Sequence, residues 1–193
     1  MQNDILLHDV SKSFGNHTVL RNVNMQFPHA SCTALRGPSG VGKTTLLRLI
    51  AGLDKPDSGQ ITGGGICQCS MVFQETRLFP WLSAADNIRC VLPDRHDPNR
   101  VAQTLLEAVE LPDDGHKYPA ELSGGMQQRV AIARALAADR PVLLLDEPFR
   151  GIDRDLKFRI ISRLQTMCHA KTLILVTHDP EEITALANQT RDL

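Results

Sequence analysis

The sequence holds no apolar run that approaches the roughly 20 residues of a membrane-spanning helix. Its first residues, MQNDILLHDV, lack the basic-then-apolar order of a secretory leader. It also lacks a charge excess: 21 Lys and Arg stand against 22 Asp and Glu, a formal net charge of −1. Wholesale attraction to nucleic acid or anionic lipid is therefore not expected. There is no internal repeat and no low-complexity tract. Cysteine is sparse, odd in number and scattered, at Cys32, Cys67, Cys69, Cys90 and Cys168. Cys67-Gln68-Cys69 would put two thiols on one face of a strand, but no partner pair with metal-ligand spacing follows. These read as buried or incidental thiols that fit a reducing compartment. The expectation is a soluble, cytosolic chain, its 193 residues enough for one domain that buries roughly 70% of the unfolded surface.

What is present is an alternation of strand and helix patterns. The β-rich runs DILLHDVSKSF and TVLRNVNMQF flank Gly15-Asn16, which reads as a hairpin turn. SCTALRG is a short apolar strand entering a glycine-rich loop, and KTTLLRLIAGL has helical spacing at Leu46, Leu47, Leu49 and Ile50, closing at Gly52. DKPDSGQITGGG reads as turns and CQCSMVFQ as a strand. Ser83 to Leu111 is helical apart from PDRHDPN, with Val101, Leu105, Ala108 and Leu111 toward a small core. After the loop PDDGHKYPAELS, residues Met126, Val130, Ala133 and Ala137 share a helical face. PVLLLDEP is a continuous apolar run that ends in acids, as a strand buried on both sheet faces would. A helix near Leu156 to Met167, the strand TLILVT and a helix from Pro180 close the chain. The pattern predicts an α/β layered domain over 1–193 with a helical insertion at about 83–135.

Gly37-Pro38-Ser39-Gly40-Val41-Gly42-Lys43-Thr44 fits the phosphate-loop pattern, with a strand before it and a helix after it. Its glycines let backbone N–H groups turn inward around an anion. Lys43 would neutralise β- and γ-phosphate oxygens, and the Thr44 hydroxyl would enter a magnesium shell. The strand of VLLLDEP supplies a second metal anchor at its C-terminal end, where doubly wound folds place ligands. Asp146 would hold Mg²⁺ directly or through water, and Glu147 would take a proton from the attacking water or orient it.

LSGGMQQR, from Leu122 to Arg129, is a second anion-friendly element: Ser123, Gly124 and Gly125 precede a helical run whose first N–H groups are free. With both loops in view the chain resembles the ATP-binding subunits of ABC transporters, LSGGMQQR matching the family's signature with Met126 where glutamine is commoner. Gln74 in VFQE matches the glutamine that reaches the metal and the attacking water. Asp153 in RGID matches the D-loop aspartate, and His178 in VTHD the histidine that contacts the γ-phosphate. Phe14 in SKSFG stands where an aromatic stacks on adenine. The resemblance implies a P-loop NTPase (RecA-like) core with an N-terminal antiparallel β subdomain and a helical insertion that carries the signature. Residues 37–45, Thr45 included, with Phe14, Ser123, Gly124, Gly125 and Asp153 would bind ATP; Thr44, Gln74 and Asp146 would hold Mg²⁺; Glu147, His178 and Gln74 would serve catalysis. It also implies head-to-tail pairing of two copies, each signature loop closing on the nucleotide of the other.

ETRLFPWLSAADNI follows Gln74, where importer relatives receive a permease; Trp81 with Leu78, Phe79 and Leu82 marks a partner surface or a small core of the helical insertion. RLFPW and the short spacing from Thr44 to Gln74 resemble the nitrate, sulfonate and taurine importers. The implied partners are a second copy or a paralogue, membrane permease subunits and indirectly a solute-binding protein, with no nucleic acid. The implied place is the cytoplasmic face of the membrane. Arg150-Gly151 departs from the small residues usual before the D-loop, and the sequence runs fifteen residues past His178, where relatives generally continue, so the expectation is a single domain without a separate regulatory domain. The alternatives are a soluble ABC ATPase acting on a cytosolic complex and a scaffold that binds ATP without turnover. The tandem cassettes or long coiled-coil insertions usual in the first are absent from the sequence, and Glu147 and His178 count against the second.

Overall fold

The computed structural model describes residues 4–63, 68–93 and 97–193; Cys67 of the CQC spacing lies outside them. The chain divides into two compact units: residues 1–71, 140–146 and 168–193 form the first, and residues 72–139 and 147–167 the second.

In the first unit β1 (Ile5–Phe14) and β2 (His17–Phe27) form the expected hairpin, turning at Gly15 with φ 58. A third strand, β3 (Ser58–Thr62), pairs antiparallel with β1, Leu7 opposite Ile61. This corrects the reading of SGQIT as turn. Only Ile61 in it is even half-buried, so no alternating pattern marks it, and the backbone of β1 supplies the ladder.

The other sheet carries the phosphate loop. Its strands are β4 (Cys32–Arg36), β5 (Cys69–Val72), β6 (Val142–Asp146), β7 (Thr172–Val176) and β8 (Gln189–Asp192), in the spatial order β5-β6-β7-β4-β8. β6 and β7 are buried at every position and pair in parallel, as their unbroken apolar sequences require. β8 was not expected. QTRD has no strand pattern, and it forms because β4 offers it a parallel edge from Thr33–Gln189 to Arg36–Asp192. Helix α1 (Lys43–Ile50) buries Leu46, Leu47, Leu49 and Ile50 in a core with Leu35, Leu144, Ile174 and Val176. Each such side chain stabilises the unit by about 1.5–3 kcal/mol. Burial pushes the Cys32 thiol up to about 12, so it acts as a small apolar residue.

The second unit is built on α2 (Ala84–Arg89), α3 (Pro98–Ala108), α4 (Gly124–Ala137) and α5 (Arg154–Met167). The buried stripe of α3 and the turn after it is Ala102, Leu105, Leu106, Val109 and Leu111, so Leu105 and Leu111 are buried as expected while Val101 and Ala108 are only half-buried. Helix α4 is buried at Val130, Ala131, Ile132 and Ala133 in succession, so neighbours surround it rather than line one face. Arg159 and Arg163 of α5 pair with Glu110 at 3.6 and 2.5 Å.

Candidate functional site

In the first unit the chain leaves β4 at Arg36 and turns through residues 37–42 before α1 starts at Lys43. Gly42 has φ 110, and a Cβ there would stand 2.8 Å from the side chains of Val19 and Leu20, so only glycine lets β2 pack on the loop. Lys43 is buried, and its Nζ donates to the carbonyls of Gly37 and Pro38 at 2.8 and 2.9 Å, so its charge sits inside the turn. Thr44 Oγ1 donates to Asp146 Oδ2 at 2.6 Å, joining the start of α1 to the end of β6. Asp146 is only 2% exposed. Burial pushes its carboxyl above the ordinary range, opposed by the Thr44 hydroxyl and the charge of Lys43. A buried carboxylate beside a hydroxyl is a hard-oxygen pair suited to magnesium, which takes few protein ligands and completes its shell with phosphate and water.

His178 follows β7 and is exposed. It shares a cavity of about 470 Å³ with Gly37, Arg36, Thr177 and Thr184. The turn that presents it is braced: Thr177 Oγ1 donates to Glu182 Oε2 at 2.5 Å and accepts from Asp179 N at 3.1 Å. Asp179 in turn caps α6 (Pro180–Leu186), accepting from Glu181 N at 2.8 Å. Phe14 ends β1 and is 51% exposed, as a stacking residue needs, and Lys12 Nζ stands 5.5 Å from the ring centre.

The second unit holds Gln74, Ser123, Gly124, Gly125, Glu147 and Asp153. Ser123 caps α4, its Oγ accepting from Met126 N at 3.3 Å. A Cβ on Gly125 would lie 2.5 Å from the Gly151 carbonyl, whereas one on Gly124 would meet nothing within 4 Å. The two glycines thus have different reasons: the first packs backbone on backbone, and the second faces open space. Gln74, Thr76, Gly124, Gly125, Gln128 and Arg150 line one cleft of about 430 Å³. Glu147 has the left-handed φ of 48 and opens a turn in which Arg150 N donates to its carbonyl at 3.3 Å. Asp153 Oδ1 accepts from Asp155 N and Leu156 N at 3.1 and 3.4 Å, so it caps α5.

Three bracing residues, Gln128, Arg134 and Asn87, escaped the sequence reading. Gln128, 3% exposed, donates from Nε2 to the Glu147 carbonyl at 3.4 Å. Arg134 donates to the carbonyls of Thr76 and Arg77 at 3.1 and 2.9 Å, tying the loop after Gln74 to α4. Thr76 Oγ1 adds a bond to Gln127 Oε1 at 3.3 Å. Asn87, fully buried, holds the next turn by accepting from Phe79 N at 2.8 Å and donating to Phe79 O and Leu82 O. On that turn Trp81 is 70% exposed, its ring 5.5 Å from Phe79, so it is not a core residue of the helices.

Residues 20–150 match the family described as ABC transporter. The chain is 43% identical over 201 residues to the sulfate/thiosulfate import ATP-binding protein CysA of Mesostigma viride, covering 96% of this chain and 58% of that protein. It is 40% identical over 194 residues to the aliphatic sulfonates import ATP-binding protein SsuB 2 of Pseudomonas fluorescens, covering 96% and 71%. The chain spans little more than half the length of the sulfate/thiosulfate relative. Its fold is similar to the dimeric post-hydrolysis state of the ATP-binding cassette MJ0796 bound to ADP and Pi, with TM-score 0.88, 30% identity and coverage of 98% and 94%.

Proposed function

The chain belongs to the ABC transporter family, and from that premise we propose that it is the ATP-binding and hydrolysing subunit of an importer. The observation that carries this reading is the constellation behind the glycine turn, where the exposed Thr44 hydroxyl joins the buried side chains of Lys43 and Asp146. It has the charge and the oxygen donors that a magnesium nucleotide needs. Residues 37–45 bind the triphosphate, Phe14 stacks on the base, and Thr44, Asp146 and Gln74 hold the metal. Magnesium bound there neutralises charge on the β- and γ-phosphate oxygens. Glu147 takes or directs the proton of the attacking water, and His178 steadies the γ-phosphate.

The two units act as one domain, its helical part near 83–135 presenting the signature. Ser123, Gly124 and Gly125 close on the nucleotide of a second copy, where the helix start adds about half a positive charge. Asp153 lies at the contact between the copies. Hydrolysis leaves two mutually repelling anions in place of one, which loosens the pair and drives a permease. Trp81, with Leu78, Phe79 and Leu82 near it, offers the permease an aromatic surface held in shape by Asn87. No helix among the described residues is long and apolar enough to cross a membrane; the subunit is held at the cytoplasmic face through the permease, which also contacts a solute-binding protein. The importer relatives named above favour this reading over a soluble assembly ATPase.

Lys43→Ala abolishes binding of a fluorescent ATP analogue. Glu147→Gln keeps that binding and slows phosphate release by roughly 10²–10⁴. Turnover by Glu147→Gln at the parental rate would overturn the assignment of the base.

A further inference from the structure

We propose that Glu182 is a positioning residue for His178. Through the Thr177 hydroxyl its buried carboxylate fixes the backbone that carries the imidazole, and so sets the rate of hydrolysis without touching the nucleotide. This rests on the reading of His178 as the group that steadies the γ-phosphate, and it adds two residues to that reading.

His178 is exposed, whereas Thr177 before it and Glu182 after it are each only 5% exposed. Burial therefore does not fix the imidazole. Its reach is set by the few residues between the end of β7 at Val176 and the start of α6 at Pro180. They face the phosphate loop, since Thr177 and His178 line the same cavity as Gly37.

Three hydrogen bonds hold this turn. Asp179 N donates to Thr177 Oγ1 at 3.1 Å, Thr177 Oγ1 donates to Glu182 Oε2 at 2.5 Å, and Asp179 Oδ1 accepts from Glu181 N at 2.8 Å. The first of them spans His178, so it constrains the φ and ψ of that residue. A hydroxyl that takes the amide two residues on makes a turn that is weak by itself. Here the hydroxyl proton is committed to a carboxylate, and a charge-assisted bond is roughly twice as strong as a neutral one. Polarising the hydroxyl also makes its oxygen a better acceptor for the Asp179 amide.

Glu182 is the third residue of α6, the position from which a glutamate ordinarily bonds straight back to the amide of the cap residue. An exposed glutamate would serve that purpose. Glu182 instead is buried and reaches the Asp179 amide by way of Thr177, which draws the residues on both sides of His178 into one clamp. Burying a carboxylate is unfavourable unless strong hydrogen bonds offset it, so capping alone does not account for the arrangement. Placement of a reacting group does account for it, because a shift of about 1 Å can lower a rate by about a hundredfold.

The test measures phosphate release by the full chain over a range of magnesium ATP, with γ-labelled ATP so that slow rates stay readable. Affinity for a fluorescent ATP analogue is measured alongside. Glu182→Ala and Thr177→Val each lower kcat by about ten- to a hundredfold and move KM and analogue affinity by less than about twofold. Thr177→Ser, which keeps the hydroxyl, recovers most of the loss. Glu182→Gln keeps a neutral acceptor and lowers kcat by about threefold, which serves as the test if Glu182→Ala does not fold. In a His178→Ala chain neither Glu182→Gln nor Thr177→Val lowers kcat further, because their effect passes through the imidazole. The same fold loss with and without His178 overturns the proposal and marks a general structural role, as does a loss confined to KM. If His178→Ala itself turns over at the parental rate, the reading of the histidine falls and this proposal falls with it. If His178→Ala is slow while the Glu182 and Thr177 variants keep the parental kcat, this proposal alone is overturned.

Discussion

Asp146 carries opposing demands. It ends a strand buried on both faces, where a carboxylate loses solvation, yet its place by Thr44 suits it to a cation. Asp146→Asn keeps an acceptor for the Thr44 hydroxyl and removes the buried charge. The metal-free variant should melt about 2–4 °C above the parent by calorimetry, the shift for about 1 kcal/mol in a chain of this size. Magnesium should then no longer strengthen its binding of ATP. Gly124 and Gly125 separate stability from contact in a similar way. Gly125→Ala forces backbone against backbone and should cost about 1–3 kcal/mol in urea unfolding. Gly124→Ala meets nothing in its own chain, so stability should hold or rise by up to about 1 kcal/mol from helix propensity, while ATP-dependent dimerisation falls. The sequence made the candidate nucleotide and metal residues legible as candidates because phosphate and metal chemistry demand particular side chains at particular spacings. It did not reveal Gln128 and Arg134, since a polar residue on a helix reads as solvated until the carbonyl it holds is seen.

Elements were legible where burial is two-sided or periodic. β6, β7 and α1 announced themselves through unbroken or helical apolar spacing. β3 and β8 did not, because each borrows its ladder from a neighbour and buries little of its own. Something other than burial therefore holds β3, and the turn before it supplies it. Asp57 accepts from Lys12 Nζ at 2.8 Å and from Ser13 N at 2.7 Å, which ties the entry of β3 to the end of β1. The Lys12 side chain first, and then the Ser13 amide, hold its carboxyl below the ordinary 3.8. A depressed carboxylate stabilises the fold above its unfolded value and loses that contribution as pH falls through the folded one. The Tm of Asp57→Asn should therefore lie below the parent's at pH 7, and the gap should close as pH falls below about 4.

At the scale of the molecule, the proposed chemistry divides between a loop that holds phosphate and a helix start that offers donors to it. If each helix start serves the other copy, defects in the two parts must complement. Lys43→Ala cannot hold nucleotide but keeps its signature loop. Ser123→Arg keeps the phosphate loop but blocks the approach of its helix, and loses the cap on Met126 N for about 1 kcal/mol. Alone, each should be inactive in phosphate release. In a mixed dimer, one composite site joins the intact loop of one copy to the intact helix start of the other. At equal concentrations half the dimers are mixed and each has one good site of two, so activity should return to at most about a quarter of the parent's. The recovery should peak at a one-to-one ratio and grow with total concentration, since it depends on association. Were each signature loop to serve its own nucleotide, every chain in the mixture would carry a broken site. A titration that stays flat at every ratio would then reject exchange between copies.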